Sequence, residues 1–233
     1  MILVICSAAA VSIMLYPEFA DCINDHMQIT SIGKYEDNTR NLDADVIDQI
    51  RQEADLYNAR IYDGQKHEPF IYLGPEAETE EYYSILNTSD MSGIMAYIEI
   101  PSIKLEIPVV HGTGTDKLKF QAGHMFGTSV PTGGINTHSV ITAHTGLDTA
   151  KLFTDIVKLK EGDEVYVHIL GETHVYSVCE INVTEPLEFT DLIQIQEGRD
   201  LITLFTCTPF GINSHRLLVM CERTGDIDTS GSE

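Results

Sequence analysis

Two patterns of apolar positions divide the chain. From Ile94 onward, β-branched and aromatic residues gather in short runs separated by turn formers. Residues 94–100, 105–111, 139–144, 164–170, 173–183, 201–208 and 215–222 each read as a strand. Gly162-Asp163 and Gly171-Glu172 have the character of hairpin turns. One helical stripe interrupts this part, with Leu152, Ile156 and Leu159 on one side of residues 149–159. About seven or eight strands so closely spaced predict a mainly β fold, a closed or nearly closed antiparallel barrel with a few helices.

Ahead of Ile94 the spacing lengthens. Val46, Ile50, Ala54 and Tyr57 recur near helical spacing, with Asp43 or Asp45 to cap the start and Asp63-Gly64 to end the helix. Residues 75–86 read as a second, shorter helix whose Glu-rich first turns suit the helix dipole. Between the two lies 65–74, Gln-Lys-His-Glu-Pro-Phe-Ile-Tyr-Leu-Gly, a loop carrying exposed aromatics. The first sixteen residues, MILVICSAAAVSIMLY, carry no charge and run into Pro17. As a helix they span about 24 Å, short of the roughly 30 Å hydrocarbon core, and they lack a basic flank. A buried globular segment, a signal peptide and a membrane anchor all suit such a stretch; with no small-x-small cleavage site evident, the anchor is preferred. The expected organisation is therefore an anchor or signal segment at 1–16, an acidic helical extension at 17–93, a barrel domain at 94–224 and a polar tail at 225–233.

Charge and cysteine content narrow the function. The 233 residues are 43% hydrophobic, enough for a sizeable core. Thirty-six acidic residues against fourteen basic ones give a net charge of −22, which argues against nucleic acid as a partner because phosphate binding needs clustered cations. The acidic excess in the extension reads as a solvated helical surface. Five cysteines are too few for a disulfide scaffold. Cys6 is expected in lipid and Cys22 just outside it, while Cys179 and Cys221 read as core thiols.

Cys207 differs from these. Its run is apolar on both faces and stops at Pro209, which places the thiol in the last turn of a strand. Residues 209–214 make a six-residue connection with Gly211 and Asn213 as turn formers. If the returning strand pairs Thr208 with His215, Cys207 faces Arg216 with Cβ atoms about 5 Å apart. A cation there would stabilise a thiolate and, later, the oxyanion of a tetrahedral intermediate. A second apolar run ends in His144, followed at once by Thr145-Gly146, and an imidazole there could take the thiol proton and return it to a leaving amine. Nine histidines raise the question of a metal, but no HExxH or paired CxxC supplies a ligand set, and none is expected. His111, His124 and His215 are assigned hydrogen-bonding roles near the barrel rim.

Thr-Leu-Phe-Thr-Cys at 203–207 resembles the Thr-Leu-x-Thr-Cys signature of the sortases, and Thr-Pro-Phe-Gly-Ile-Asn-Ser-His-Arg at 208–216 resembles their class C, pilin-polymerising branch. The likeness continues through Ile98-Glu-Ile-Pro101, Pro108-Val-Val-His-Gly112, Gly123-His-Met-Phe-Gly-Thr-Ser129, Thr142-Ala-His-Thr-Gly-Leu147 and Leu159-Lys-Glu-Gly-Asp163, in family order. It covers residues 57–223. The resemblance implies a sortase-type barrel and a cysteine transpeptidase without a cofactor, held in the cell membrane of a Gram-positive bacterium and facing outward. Cys207 would attack the Thr–Gly bond of an LPXTG-like sorting signal in a pilin, and a lysine of another pilin would resolve the thioacyl intermediate. His144 would shuttle protons, Arg216 would hold the scissile carbonyl, and Thr206 would lend hydroxyl support. It also implies an inhibitory lid in the 65–74 loop, Glu68-Pro69-Phe70, with Glu68 paired to Arg216 and Phe70 covering Cys207. The chain departs from the class C pattern in Glu68 for Asp, in Thr145 where Arg is frequent, and in lacking a C-terminal span. A papain-like hydrolase and an inactive surface-anchored binding module remain as alternatives.

Overall fold

In the computed structural model, which describes residues 21, 23–88, 93–146 and 150–227, the β-branched runs become strands of one barrel. They are β1 (Ile94–Ile100), β2 (Leu105–His111), β3 (Ala122–His124), β4 (Thr137–Thr142), β5 (Glu164–Ile169), β6 (Glu172–Thr184), β7 (Asp200–Thr208) and β8 (His215–Ile227). The sheet closes in the order β1-β2-β3-β4-β7-β8-β6-β5. It is mixed rather than antiparallel throughout, because β2 pairs with β3 and β4 with β7 in parallel. A parallel pair needs a crossover, and between β4 and β7 the β5–β6 hairpin provides it. The three-residue β3 is too short to leave a periodic signal.

Alternation along the strands sets two faces. Ile141 on β4, Ile202 and Leu204 on β7, and Val219 and Cys221 on β8 point into the main core with Ile98, Ile107, Val165 and Tyr176. Burial pushes the Cys221 thiol pKa well up. Cys179, expected in the core, lies instead on the half-exposed side. Tyr176 and Val178 face inward, and Cys179 is the extra residue of a bulge between Val178 and Glu180. Its Sγ donates to the Met220 carbonyl at 3.4 Å and lies 3.6 Å from an Arg199 Nη2.

The extension supplies three helices: α1 over residues 23–40, α2 (Ala44–His67) and α3 (Glu80–Ser84). The sequence pattern did not predict α1. It is held to the barrel by Tyr35, whose hydroxyl donates to the Met95 carbonyl (3.1 Å) and accepts from the Leu170 amide (3.0 Å). In α2, Ala54 and Tyr57 are buried as their spacing predicts, while Val46 is exposed and Ile47 packs in its place. Asp43 is the N-cap, and Gly64 does not end the helix. Pro69 does so, by forcing Glu68 into extended backbone (φ −136°, ψ 119°). Residues 75–86 break into a 3-10 turn, Pro75–Ala77, and α3, where the Thr79 hydroxyl caps the Tyr82 amide. The stripe expected in 149–159 forms a kinked 3-10 segment, Leu152–Lys158, with Leu152, Phe153 and Ile156 buried.

β8 runs past Glu222 to Ile227, and its last three residues still pair with β6. No helix among the described residues is long and apolar enough to cross a membrane. The proposed anchor at 1–16, Cys6, Cys22 and the end of the polar tail lie outside the described residues.

Candidate active site

Cys207 sits half-buried near the carboxyl end of β7, directly opposite Arg216 on β8, with Thr208 opposite His215. This is the pairing that the six-residue connection predicts. The connection starts at a cis Thr208–Pro209 bond, and the amides of Ile212 and Asn213 both donate to the Pro209 carbonyl. Arg216 Nη1 donates to the main-chain oxygens of Asn213 (3.2 Å) and His215 (3.0 Å). Among the described residues no carboxylate pairs with it, although it stands on the strand directly opposite Cys207. His215 turns away to Glu185, with Nε2 and Oε1 3.3 Å apart.

On the other side of β7 the parallel partner is β4, in register Thr142↔Phe205. Two hydrogen bonds carry the pairing beyond the end of β4. The Ala143 amide donates to the Phe205 carbonyl (3.3 Å), and the buried Thr206 hydroxyl donates to the Ala143 carbonyl (2.7 Å). Continuing that register by two steps brings His144 level with Cys207. The sulfur therefore lies on the middle one of three adjacent segments, with the imidazole's segment and the guanidinium's strand each about one strand spacing, ~4.8 Å, to either side.

The turn that carries His144 is anchored from behind. The Phe153 amide donates to the His144 carbonyl (3.1 Å), and the Gly146 amide donates to the Thr154 hydroxyl (3.1 Å). Gly146 has φ +72°, and the Phe210 ring lies 3.2 Å from where a Cβ on it would be. The positive φ favours glycine there, and a side chain would also have to push the exposed Phe210 ring aside. Burial lowers the His144 pKa, favouring the neutral imidazole that a general base needs.

Cys207 shares the outer face of β7 with Phe205 and Thr203. That face is covered by a second apolar cluster, Phe70, Met125, Val140, Phe189, Ile193, Phe205 and Leu218. Phe70 arrives from the 65–74 loop and is the one buried residue of its stretch, flanked by exposed Glu68, Pro69 and Ile71. The Glu68–Arg216 pair expected from the sequence does not form. Glu68 is the extended residue ending α2, its side chain is exposed, and it makes no ion pair among the described residues. The loop is tied instead by Gln194, which hydrogen-bonds the Phe70 main chain, and by Tyr72, whose hydroxyl is 3.1 Å from the Thr113 hydroxyl.

The remaining singled-out histidines serve the interior rather than the rim. His124 bonds the Tyr82 hydroxyl through Nδ1 (2.9 Å) and the Ser129 carbonyl through Nε2 (2.8 Å), and burial pushes its pKa down to about 3. His111 Nε2 is 2.6 Å from the Ile85 carbonyl. Sequence reasoning missed Gln194, Phe205 and Phe210, whose contacts are long-range and leave no local signal. A cavity of about 900 Å³ lies away from the thiol, between α1 and the β5–β6 hairpin, where Tyr35, Tyr97 and Leu170 line it. Phe70 belongs to the apolar cluster around Phe205, two residues before Cys207.

Comparison with known proteins agrees with this architecture. The Sortase domain family matches residues 98–224. A sortase C-1 from Actinomyces oris is 46% identical with a TM-score of 0.67, the match covering 76% of this chain and 98% of that one. A Streptococcus pneumoniae sortase C, described for its catalysis and pilin substrate specificity, is 39% identical with a TM-score of 0.73, over 83% of this chain and 95% of that one. A lid mutant of sortase A from Corynebacterium diphtheriae is 36% identical with a TM-score of 0.71, over 81% and 98%.

Proposed function

The chain belongs to the sortase family, in its class C branch, and we propose that this cysteine transpeptidase joins pilin subunits through Cys207, His144 and Arg216. The observation that carries the assignment of roles is the side-by-side order of the three segments, with the thiol in the middle. His144 takes the Cys207 proton as sulfur attacks the threonine carbonyl of an LPXTG-like sorting signal. Arg216, free of any carboxylate partner among the described residues, stabilises the oxyanion. Collapse of the tetrahedral intermediate breaks the Thr–Gly bond, and His144 returns the proton to the departing glycine amine. The neutral amine of an acceptor lysine in another pilin then attacks the thioester, passing its proton through His144 to the sulfur, and an isopeptide bond results. Thr206 acts by holding Ala143, and with it His144, against β7.

The enzyme works at the extracellular face of a Gram-positive cell membrane, with residues 1–16 as its membrane attachment. Glu68, Pro69 and Phe70 form a lid in which Phe70 carries the covering role and Pro69 stiffens the approach. Incubation with a sorting-signal peptide and hydroxylamine should release a hydroxamate, and Cys207→Ala should abolish it. Hydrolysis indifferent to added amine would support a papain-like hydrolase instead, and no thioester at all would support an inactive binding module.

A further inference from the structure

We propose that the Gln194 side-chain amide is a main-chain clasp for the sorting-signal peptide, occupied in this structure by Phe70 of the chain's own loop. The inference rests on the transpeptidase reading above and adds a substrate-positioning residue to it.

The clasp is visible in two hydrogen bonds to one residue. The Phe70 amide donates to Gln194 Oε1 (2.8 Å), and Gln194 Nε2 donates to the Phe70 carbonyl (3.1 Å). A residue in an antiparallel ladder exchanges this same pair of bonds with its partner, so the amide offers one strand-like pairing unit without a strand. Such a unit reads backbone, not side chain, and any residue other than proline satisfies it.

The amide is held in place before anything binds. Its Nε2 also donates to the Thr190 carbonyl (2.8 Å), which fixes the plane of the group. The Gln194 main-chain oxygen accepts from His138 Nδ1 (2.9 Å), and His138 Nε2 accepts from the Thr203 hydroxyl (2.8 Å). His138 is fully buried, and Thr203 lies on the same outer face of β7 as Cys207. The clasp is therefore braced against the strand that carries the thiol.

Selectivity comes from what lies beneath the clasped residue. Phe70 places its side chain among Met125, Val140, Phe189, Ile193, Phe205 and Leu218. Phe205 precedes Cys207 by two positions, about 6.6 Å along the strand. An extended peptide with an apolar side chain in that pocket and its main chain on Gln194 would have its following residues running over the sulfur. The lid and the substrate then compete for the same two hydrogen bonds, and Phe70 must leave before the signal docks.

In a Phe70→Ala background, which removes the competing side chain, Gln194→Ala should raise KM for a sorting-signal peptide on the order of tenfold, the effect of two lost hydrogen bonds. Gln194→Glu keeps the shape but loses the donor and should act in the same direction, covering the case in which the alanine variant folds poorly. Iodoacetamide alkylation of Cys207 serves as the control for the thiol itself. The decisive probe is a depsipeptide in which an ester replaces the amide of the signal's apolar residue. It should bind several-fold more weakly than the amide peptide to the parent protein, and no more weakly than the amide peptide to Gln194→Ala. In the protein with its lid intact, Gln194→Ala should also speed hydrogen exchange at the Phe70 amide. Additive penalties of ester and variant, or an unchanged KM, would overturn the clasp while leaving the transpeptidase intact. Failure of the parent protein to form any peptide thioester would overturn the transpeptidase reading and the clasp with it.

Discussion

The two faces of β7 are covered in different ways. Inward, Ile202 and Leu204 are sealed in the main core, most of whose side chains come from strands of the closed barrel. Outward, Phe205 packs edge-on against Phe189, with ring centroids 4.8 Å apart, in a cluster that also takes Phe70 from a loop whose neighbouring residues are exposed. The residues on the two faces are equally apolar, so composition does not separate them. What separates them is whether the covering group belongs to the closed hydrogen-bonded framework or is lent to it by a detachable segment. The framework cover stabilises the fold, whereas the loop-borne part of the outer cover is the part that the proposed function requires to give way to a peptide.

The contrast is tested most strongly by emptying one site on each face. Leu204→Ala should lower stability by about 3 kcal/mol in urea denaturation, since its cavity has nowhere to collapse. Phe70→Ala should cost less than about half as much, because the loop opens locally without global unfolding. Equal costs would mean that the outer cover is as structural as the inner one.

A pH titration addresses both faces together. Burial pushes the pKa of His124, inside the barrel, to about 3 and that of His138, beneath Gln194, to about 4, against an unfolded value near 6.5. Both folded values are depressed for a base that is buried neutral, so the unfolded chain binds more protons below pH 6.5. The stabilising contribution is complete above that pH and is lost as pH falls toward the folded values. Each histidine adds a slope of about 1.4 kcal/mol per pH unit in that window, measurable as a falling urea midpoint.

The smallest expected effect lies where the two faces meet. Thr206→Val removes the hydroxyl that bonds Ala143 and should cost about 1 kcal/mol. It should also slow thioester formation by loosening His144, while Thr206→Ser should restore both. Loss of stability with full thioester formation would show that His144 is held without this bond.

How much of this is legible in the sequence follows from the range of each interaction. The opposition of Cys207 and Arg216 is readable because a six-residue connection leaves the strand ends little choice of register. The approach of His144 is not, because it depends on a parallel pairing that skips over the whole β5–β6 hairpin. The helix α1 escapes for another reason. Its buried stripe is Asn24, Gln28, Ile32, Tyr35 and Thr39, helical in spacing but mostly polar, so hydrophobic periodicity does not register it. The family resemblance suggested a Glu68–Arg216 ion pair, which does not form: Glu68 is extended and exposed, and it is Phe70 that packs against the barrel.

The parallel pairing of β4 and β7 has a consequence for how such a molecule can change over time. Two strands running the same way finish at the same rim whatever the length of the hairpin between them. Lengthening or trimming the intervening hairpin therefore alters the far side of the barrel without separating the segments that bear His144 and Cys207. Length changes at the hairpin turn thus leave the alignment intact, provided the groups that hold it stay: the Thr206 hydroxyl and the contacts of Phe153 and Thr154 with the His144 turn.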